Sequence, residues 1–201
     1  MAIVSVTPPQ ASIKELQRAL KEISETTFFT ARNQVRKRQT MTLEESPLAY
    51  QVFFVGLNDL VSGAGLENAR LVSWLYFVKV GSSLPAMAAE VNVDMNQQVH
   101  TFSQLCTDKD SGDTANVFHE ADKIPVVANG KFEERLLRIP ALHISALWLR
   151  SELPGKDVFI LLPRVPDFLE KNKMYFTDEF LSKLRDSAKA KIAKSAALDL
   201  G

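Results

Sequence analysis

The first group of residues with the potential for chemistry is formed by His119, Glu120 and Asp122. Imidazole and carboxylate side chains are the groups that most often transfer protons near neutral pH. A zinc helix of the H-E-x-x-H type would need a second histidine one turn after His119, but that position holds Lys123. The group therefore indicates acid–base chemistry only if a further polar side chain folds against it. Its alternative interpretation is a solvated stretch of helix, because charged side chains are mostly exposed.

His143 is the second candidate, since it stands between two apolar residues of a predicted strand. Strand alternation places it on the face opposite the row Leu142, Ile144, Ala146 and Trp148. One interpretation is a half-buried, hydrogen-bonded side chain. The other is a ligand or a proton-transfer group, which would join the cluster around His119 in a scattered acid–base site. His100 has no partner that the sequence reveals.

Cys106 is the single cysteine, and it is followed by an acidic segment that begins at Asp108. A cysteine nucleophile requires a histidine in contact with it, and a lone cysteine is more typical of a small apolar core residue. Read as a calcium loop from Asp108, the segment has Gly112 at position 5, Asp113 at position 6 and His119 at position 12. These residues break the EF-hand pattern at three required positions. We therefore predict a surface turn and no metal.

A basic cluster is the remaining charged candidate, and it contains Arg32, Arg36, Lys37 and Arg38. Such a cluster is able to contact phosphate or an acidic partner. The whole chain, however, has 24 basic and 24 acidic residues and a formal net charge of zero. A dedicated nucleic-acid binder carries a basic excess. The sequence therefore favours a solvated basic face and argues against a nucleic-acid partner.

The common nucleotide and hydrolase signatures are missing from the sequence. It contains neither G-x-G-x-x-G, nor the phosphate-binding P-loop, nor a G-x-S-x-G nucleophile elbow. We therefore expect no cofactor. An enzyme whose catalytic residues are scattered along the chain leaves no such signature.

Two amphipathic helices are predicted near the ends of the chain. The first should begin at Ser12, where Ser12 and Glu15 match the capping box S-x-x-E. Its apolar stripe has helical spacing and consists of Ile13, Leu16, Leu20 and Ile23. The second should begin at Thr177, with a stripe of Phe180, Leu181, Leu184, Ala188 and Ile192.

Apolar segments between these helices predict a sheet. Residues 70–80 are apolar on both alternating faces, which is typical of a strand covered on both sides. Residues 86–95 alternate Val91, Val93 and Met95 with polar residues, so they should return beside that strand. Residues 131–139, 141–150 and 158–162 should form further antiparallel strands, the last two joined by a turn at Pro154-Gly155.

The sequence does not decide between helix and strand in residues 28–57 and 96–124. Residues 48–57 favour a strand with helix as the alternative, and a short helix is predicted over residues 115–121. The order of elements lacks a regular βαβ alternation. It therefore predicts an α+β fold, in which the two amphipathic helices pack on a mainly antiparallel sheet. We expect one domain over residues 1–201, with an extended arm at 1–11 and a frayed tail at 196–201.

The compartment is predicted from what the sequence lacks. A single cysteine allows no intrachain disulfide, and the first residues do not resemble a signal peptide. Apolar segments fall short of the roughly 20 residues that a membrane helix needs. These features predict a cytoplasmic protein that does not associate with a membrane.

Two functions remain after these exclusions. The first is a non-enzymatic binding or self-assembling module, expected as a homodimer or with a protein partner, since zero net charge leaves little self-repulsion. The alternative is a hydrolase or isomerase with a scattered acid–base site around His119, Glu120 and Asp122, or around His143. The weight of the sequence is against an enzyme, because no catalytic motif is present.

Overall fold

A computed structural model gives the structure of the chain and describes residues 3–4, 6–26, 30–31, 34–35, 41–42, 48–80, 87–106 and 109–198. The helices are α1 (Gln10–Thr26), α2 (Leu57–Ser62), α3 (Lys109–Glu120), α4 (Pro125–Ala128) and α5 (Thr177–Leu198). The strands are β1 (Ile3–Val4), β2 (Thr30–Ala31), β3 (Gln34–Val35), β4 (Met41–Thr42), β5 (Ala49–Phe54), β6 (Arg70–Val80), β7 (Met87–Asp94), β8 (Val99–Cys106), β9 (Phe132–Ile139), β10 (Ile144–Ser151), β11 (Val158–Leu161) and β12 (Met174–Phe176).

The chain divides into two compact units. Unit 1 contains Met1–Val6, Gln51–Val72 and Asn116–Gly201. Unit 2 contains Thr7–Tyr50 and Ser73–Ala115. That residues 1–201 form one domain stays a prediction.

Unit 1 is built on strands in the order β12-β11-β10-β9. These strands pair antiparallel, whereas β1 and β5 pair parallel with successive parts of β9. Helix α5 packs on β11 and β12. Its Phe180 ring stacks on Phe159 of β11, with 4.4 Å between the ring centroids. Phe180, Leu184 and Ala188 are fully buried, which confirms these three members of the predicted stripe, whereas Leu181 and Ile192 are half-buried.

Unit 2 contains the antiparallel strands β6, β7 and β8, and the short β4 pairs with β6. Helix α1 packs on β7 and β8 and buries Leu16, Ala19 and Leu20 against them. The prediction of an α+β fold with a mainly antiparallel sheet is therefore confirmed. The bounds predicted for residues 70–80 are confirmed as well.

The predicted start of the first helix is wrong by two residues. Helix α1 begins at Gln10, because the carbonyl of Pro9 accepts the N–H groups of Ser12 and Ile13. The capping box does not form, since the Ser12 hydroxyl bonds Tyr76 and the Glu15 carboxylate bonds other groups described below. The extended arm therefore ends at residue 9. At the other end α5 continues to Leu198, so residues 196–198 are helical and residues 199–201 lie outside the described part.

The ambiguous segments are now assigned. Residues 49–54 form strand β5, and Thr30–Ala31 pairs antiparallel with Gln34–Val35. Residues 99–106 form strand β8, and helix α3 covers Lys109–Glu120. The surface turn predicted after Asp108 is therefore wrong for Asp110 to Asp113, which are helical, and Asp108 lies outside the described residues.

Candidate functional site

His119, Glu120 and Asp122 lie where α3 passes into the 3-10 turn Ala121–Lys123, and all three are exposed. The carboxylate of Glu120 pairs with the Lys123 ammonium at 2.7 Å. This hydrogen bond lowers the pKa of Glu120 below its ordinary value. Glu120 is thus held as a charged, solvated carboxylate at the end of a helix.

His143 does not lie in a strand, contrary to the prediction. It ends the 3-10 turn Pro140–Leu142 in a left-handed backbone conformation with φ of 54°, and its side chain is exposed. The turn is closed by the His143 N–H, which donates to the carbonyl of Pro140 at 3.0 Å. Strand β10 starts one residue later, at Ile144. The predicted half-buried position of His143 is therefore wrong.

Glu134 is a titratable residue that the sequence analysis missed, and it lies close to Asp122. It is 8% exposed on strand β9. Burial, followed by the negative charge of Asp122, raises the pKa of Glu134 to about 7. Glutamate at this position continues the alternating face of Phe132 and Leu136, and that pattern was the one available signal.

Arg135, the next residue of β9, is a buried cation that contacts one carboxylate and two aromatic rings. Its Nε lies 2.7 Å from the Glu133 carboxylate. Its guanidinium lies 4.6 Å from the centroid of the Phe53 ring and 5.0 Å from that of Trp148. An ion pair and two aromatic faces thus surround this charge within the core of unit 1.

The other candidates are placed as follows. Cys106 is half-buried at the end of β8. The basic cluster of Arg32, Arg36, Lys37 and Arg38 lies outside the described residues. In the part of the chain that the structure describes, no group of three or more His, Cys, Asp or Glu side chains is arranged to hold a metal ion. Within the same part, no helix has both the length and the apolar character needed to cross a membrane.

Three surface cavities of about 730, 270 and 470 Å³ lie in unit 1, and none is lined by His119, Glu120, Asp122 or His143. The largest has Asp59, Glu67 and Arg70 in its wall. Asp59 is engaged there, because its carboxylate accepts the Gly56 N–H and the Asn68 amide, both at 3.1 Å. The hypothesis of a hydrolase or isomerase stays a prediction.

Strand β8 offers a different kind of site, a strand edge. It stands last in the order β6-β7-β8, and among the described residues no strand pairs with its outer side. Its sequence, V-H-T-F-S-Q-L-C, contains no charged residue and no proline. Four of its residues are exposed: Val99, Thr101, Ser103 and Gln104.

β8 is longer than β12, the strand at the end of the order in unit 1. β12 has three residues, whereas β8 has eight. Natural sheets protect their edges with short strands, charges or prolines, because unpaired N–H and C=O groups attract other strands. β12 is protected by its shortness, whereas β8 has neither shortness nor charge nor proline. β8 does contain a register shift, because Gln104 pairs with Glu90 and Phe102 with Val91, so that Ser103 is an extra residue in the strand.

A polar network crosses from β6 through β7 to β8, at the point where the register of β8 shifts by one residue. The Ser73 hydroxyl of β6 donates to one carboxylate oxygen of Glu90 on β7, and the Gln104 amide of β8 donates to the other at 3.0 Å. Glu90 is only 5% exposed, so its carboxylate is shielded from water by the strands on either side. Met95, predicted on the apolar face, is instead 54% exposed. The network links the three strands through side chains as well as through their backbones.

Helix α1 also reaches β8. The Phe102 N–H donates to Oε1 of Glu15 at 2.9 Å. Arg18 holds the same carboxylate, with its Nε 3.0 Å from Oε2 and its Nη2 2.8 Å from Oε1. The hydrogen bond from Arg18, and then that from the Phe102 N–H, lower the pKa of Glu15.

Comparison with known proteins adds no relative: no family model matches the chain, and neither a curated protein nor a solved structure matches it significantly.

Proposed function

We propose that this protein is a non-enzymatic binding module that assembles with a second copy of itself through strand β8. The observation that carries the proposal is an eight-residue edge strand without charge or proline and without a strand partner among the described residues. Strand addition at such an edge is a recurrent mode of protein recognition. Backbone hydrogen bonds provide its affinity, and alternate side chains provide its specificity.

The exposed residues of β8 support this use of the edge. Val99, Thr101 and Ser103 alternate with the half-buried His100 and Phe102, so one row of the strand faces water. Val99 is a large apolar residue that is 47% exposed. A partner strand that pairs with β8 would hydrogen-bond to the backbone groups on its outer side and cover part of this row.

A second copy of β8 is the partner that fits these features best. A two-fold axis between antiparallel strands places the same segment on both sides of the interface. Any charge on the strand would then be repeated across the axis, and directly opposed like charges destabilise a pair of strands. β8 has no such charge, and the chain as a whole has a formal net charge of zero.

The proposed assembly forms between proteins in the cytoplasm. A chain of 201 residues with one cysteine does not depend on an intrachain disulfide, which suits the reducing cytoplasm. The interface is between proteins, and it involves neither nucleic acid nor a membrane. No cofactor enters the proposed assembly.

A charge placed on the edge tests the proposal. We expect the wild-type protein to sediment as a dimer of two 22.4-kDa chains at micromolar concentration. Thr101→Lys should shift it to the monomer, because the two-fold axis brings two lysines into one pair of strands. Hydrogen exchange should also show β8 amides that become protected as the protein concentration rises.

Ser195→Lys is the matched control, since it adds the same charge at an exposed position of α5. It should leave the dimer intact. A wild-type protein that stays monomeric at high concentration would refute the proposal. A dimer that survives Thr101→Lys, with β8 amides unprotected, would refute it equally.

A further inference from the structure

The bond between Glu15 and Phe102 joins a helix to the edge strand proposed as the interface. The two residues are 87 positions apart in the sequence, and the carboxylate oxygen lies 2.9 Å from the backbone nitrogen. The N–H group of Phe102 is thus engaged by a side chain of its own molecule. A strand that pairs with β8 needs the N–H groups of that edge as donors.

The Glu15 carboxylate is held in place by Arg18. Arg18 contacts both of its oxygens, at 2.8 and 3.0 Å, and Arg18 also pairs with Glu22 at 2.6 Å. Near the start of the helix, the Tyr76 hydroxyl donates to the Ser12 hydroxyl at 2.6 Å and fixes α1 on strand β6. Glu15 has 16% of its side chain exposed, so water competes little for this acceptor.

We propose that Glu15 competes with the incoming strand for the Phe102 N–H and thereby weakens self-association; this inference rests on the proposed function of β8. When a second strand pairs with β8, the Phe102 N–H must give up the charged Glu15 carboxylate and bind a neutral backbone carbonyl of that strand instead. Hydrogen bonds to charged groups are stronger than bonds between neutral groups. Glu15 is therefore an intramolecular cap on the edge, and its removal favours the dimer.

Sedimentation equilibrium of Glu15→Ala tests the cap. The dimer dissociation constant should fall about a hundredfold relative to the wild type, about tenfold for each of the two Glu15 carboxylates that no longer have to be displaced in the two-fold dimer. Glu15→Gln keeps an acceptor oxygen without the charge, so its dissociation constant should lie between those two values. In dilute monomer, the Phe102 amide of Glu15→Ala should exchange faster than in the wild type.

Glu25→Ala is the matched control, because it removes an exposed carboxylate from the same helix. Its dissociation constant should equal that of the wild type.

If Glu15→Ala and Glu15→Gln dimerise no more tightly than the wild type, while Thr101→Lys still dissociates the dimer, the cap is refuted and the proposed function stands. If the wild type stays monomeric at high concentration, the proposed function itself is refuted. Circular dichroism verifies that each variant keeps its helix content, and Glu15→Gln decides the question if the alanine variant unfolds.

Discussion

The carboxyl group of Glu134 is buried on strand β9, whereas the carboxylate of Glu120 lies in solvent at the end of α3. The same functional group therefore has opposite pKa shifts in the two places. Lys123 lowers the pKa of Glu120, while burial and then Asp122 raise the pKa of Glu134 to about 7. Local environment, more than residue type, decides which carboxyl group titrates near neutral pH.

We expect Glu134 to make the protein less stable as the pH rises from about 4.5 to about 7. The folded state binds the proton more tightly than the unfolded state, so folding is favoured while the carboxyl group is protonated. The folded state loses this stabilisation as the pH rises through the raised pKa and Glu134 gives up its proton. The free energy of unfolding, measured with urea across this range, should fall relative to Glu134→Gln by an amount on the order of 3 kcal/mol.

Asp122→Asn provides the control for this prediction. It removes the smaller of the two causes and leaves burial, so the pKa of Glu134 should move part of the way back to its ordinary value. The loss of stability with rising pH should become smaller without vanishing. A wild type and a Glu134→Gln variant with parallel pH profiles would show that Glu134 does not titrate in this window.

At the level of elements, α1 is fixed on strand β6 by one buried hydrogen bond. The hydroxyl groups of Tyr76 and Ser12 are 2.6 Å apart, and both residues are fully buried. Burial raises the pKa of Tyr76 to about 12. The hydroxyl therefore stays protonated and donates a hydrogen bond to the Ser12 oxygen. A buried hydroxyl that loses its partner is costly, because no water replaces the bond.

Tyr76→Phe should therefore lower the free energy of unfolding by about 1–3 kcal/mol, since the Ser12 hydroxyl remains buried without its donor. Ser12→Ala should have a similar cost. The double variant should lose less than the sum of the two, because both polar groups are then gone. Urea unfolding of the four proteins gives the coupling energy, and strict additivity would contradict a direct bond.

Sequence patterns predicted those elements whose burial follows one regular period. Residues 70–80 have apolar residues on both faces, and they form a strand with those bounds. Phe180, Leu184 and Ala188 have helical spacing, and they are buried on one face of α5. In both cases local periodicity and tertiary packing favour the same structure, so the sequence alone was sufficient.

Other features depended on contacts that the local sequence does not contain. Gly112 and its acidic neighbours are typical of a turn, yet α3 includes them and buries Phe118 near its end. Glu15 matched a capping box, but its carboxylate instead binds the backbone N–H of Phe102 and the side chain of Arg18. Propensity is a weak guide where tertiary contacts compete with it. The candidate site was missed for the same reason, because an edge exists only once the strand order is known.

For the whole molecule, the absence of net charge and the absence of charge on β8 have one common consequence. Long-range repulsion between two copies is small when basic and acidic residues are equal in number, at 24 each. Short-range repulsion across the proposed two-fold axis is also small, since β8 contains no Asp, Glu, Lys or Arg. Backbone hydrogen bonds and apolar contacts would then provide the affinity, and neither depends strongly on ionic screening.

Self-association should therefore be nearly independent of salt. Between roughly 0.05 and 0.5 M sodium chloride the Debye length falls severalfold, which weakens interactions between exposed charges but leaves strand pairing intact. We expect the dimer dissociation constant from sedimentation equilibrium to change by less than about twofold over this range. In Thr101→Lys, by contrast, high salt should restore part of the dimer, because it screens the two lysines across the axis. A wild-type dimer that dissociates tenfold more readily in high salt would show that ion pairs hold it together, and β8 could not then be its interface.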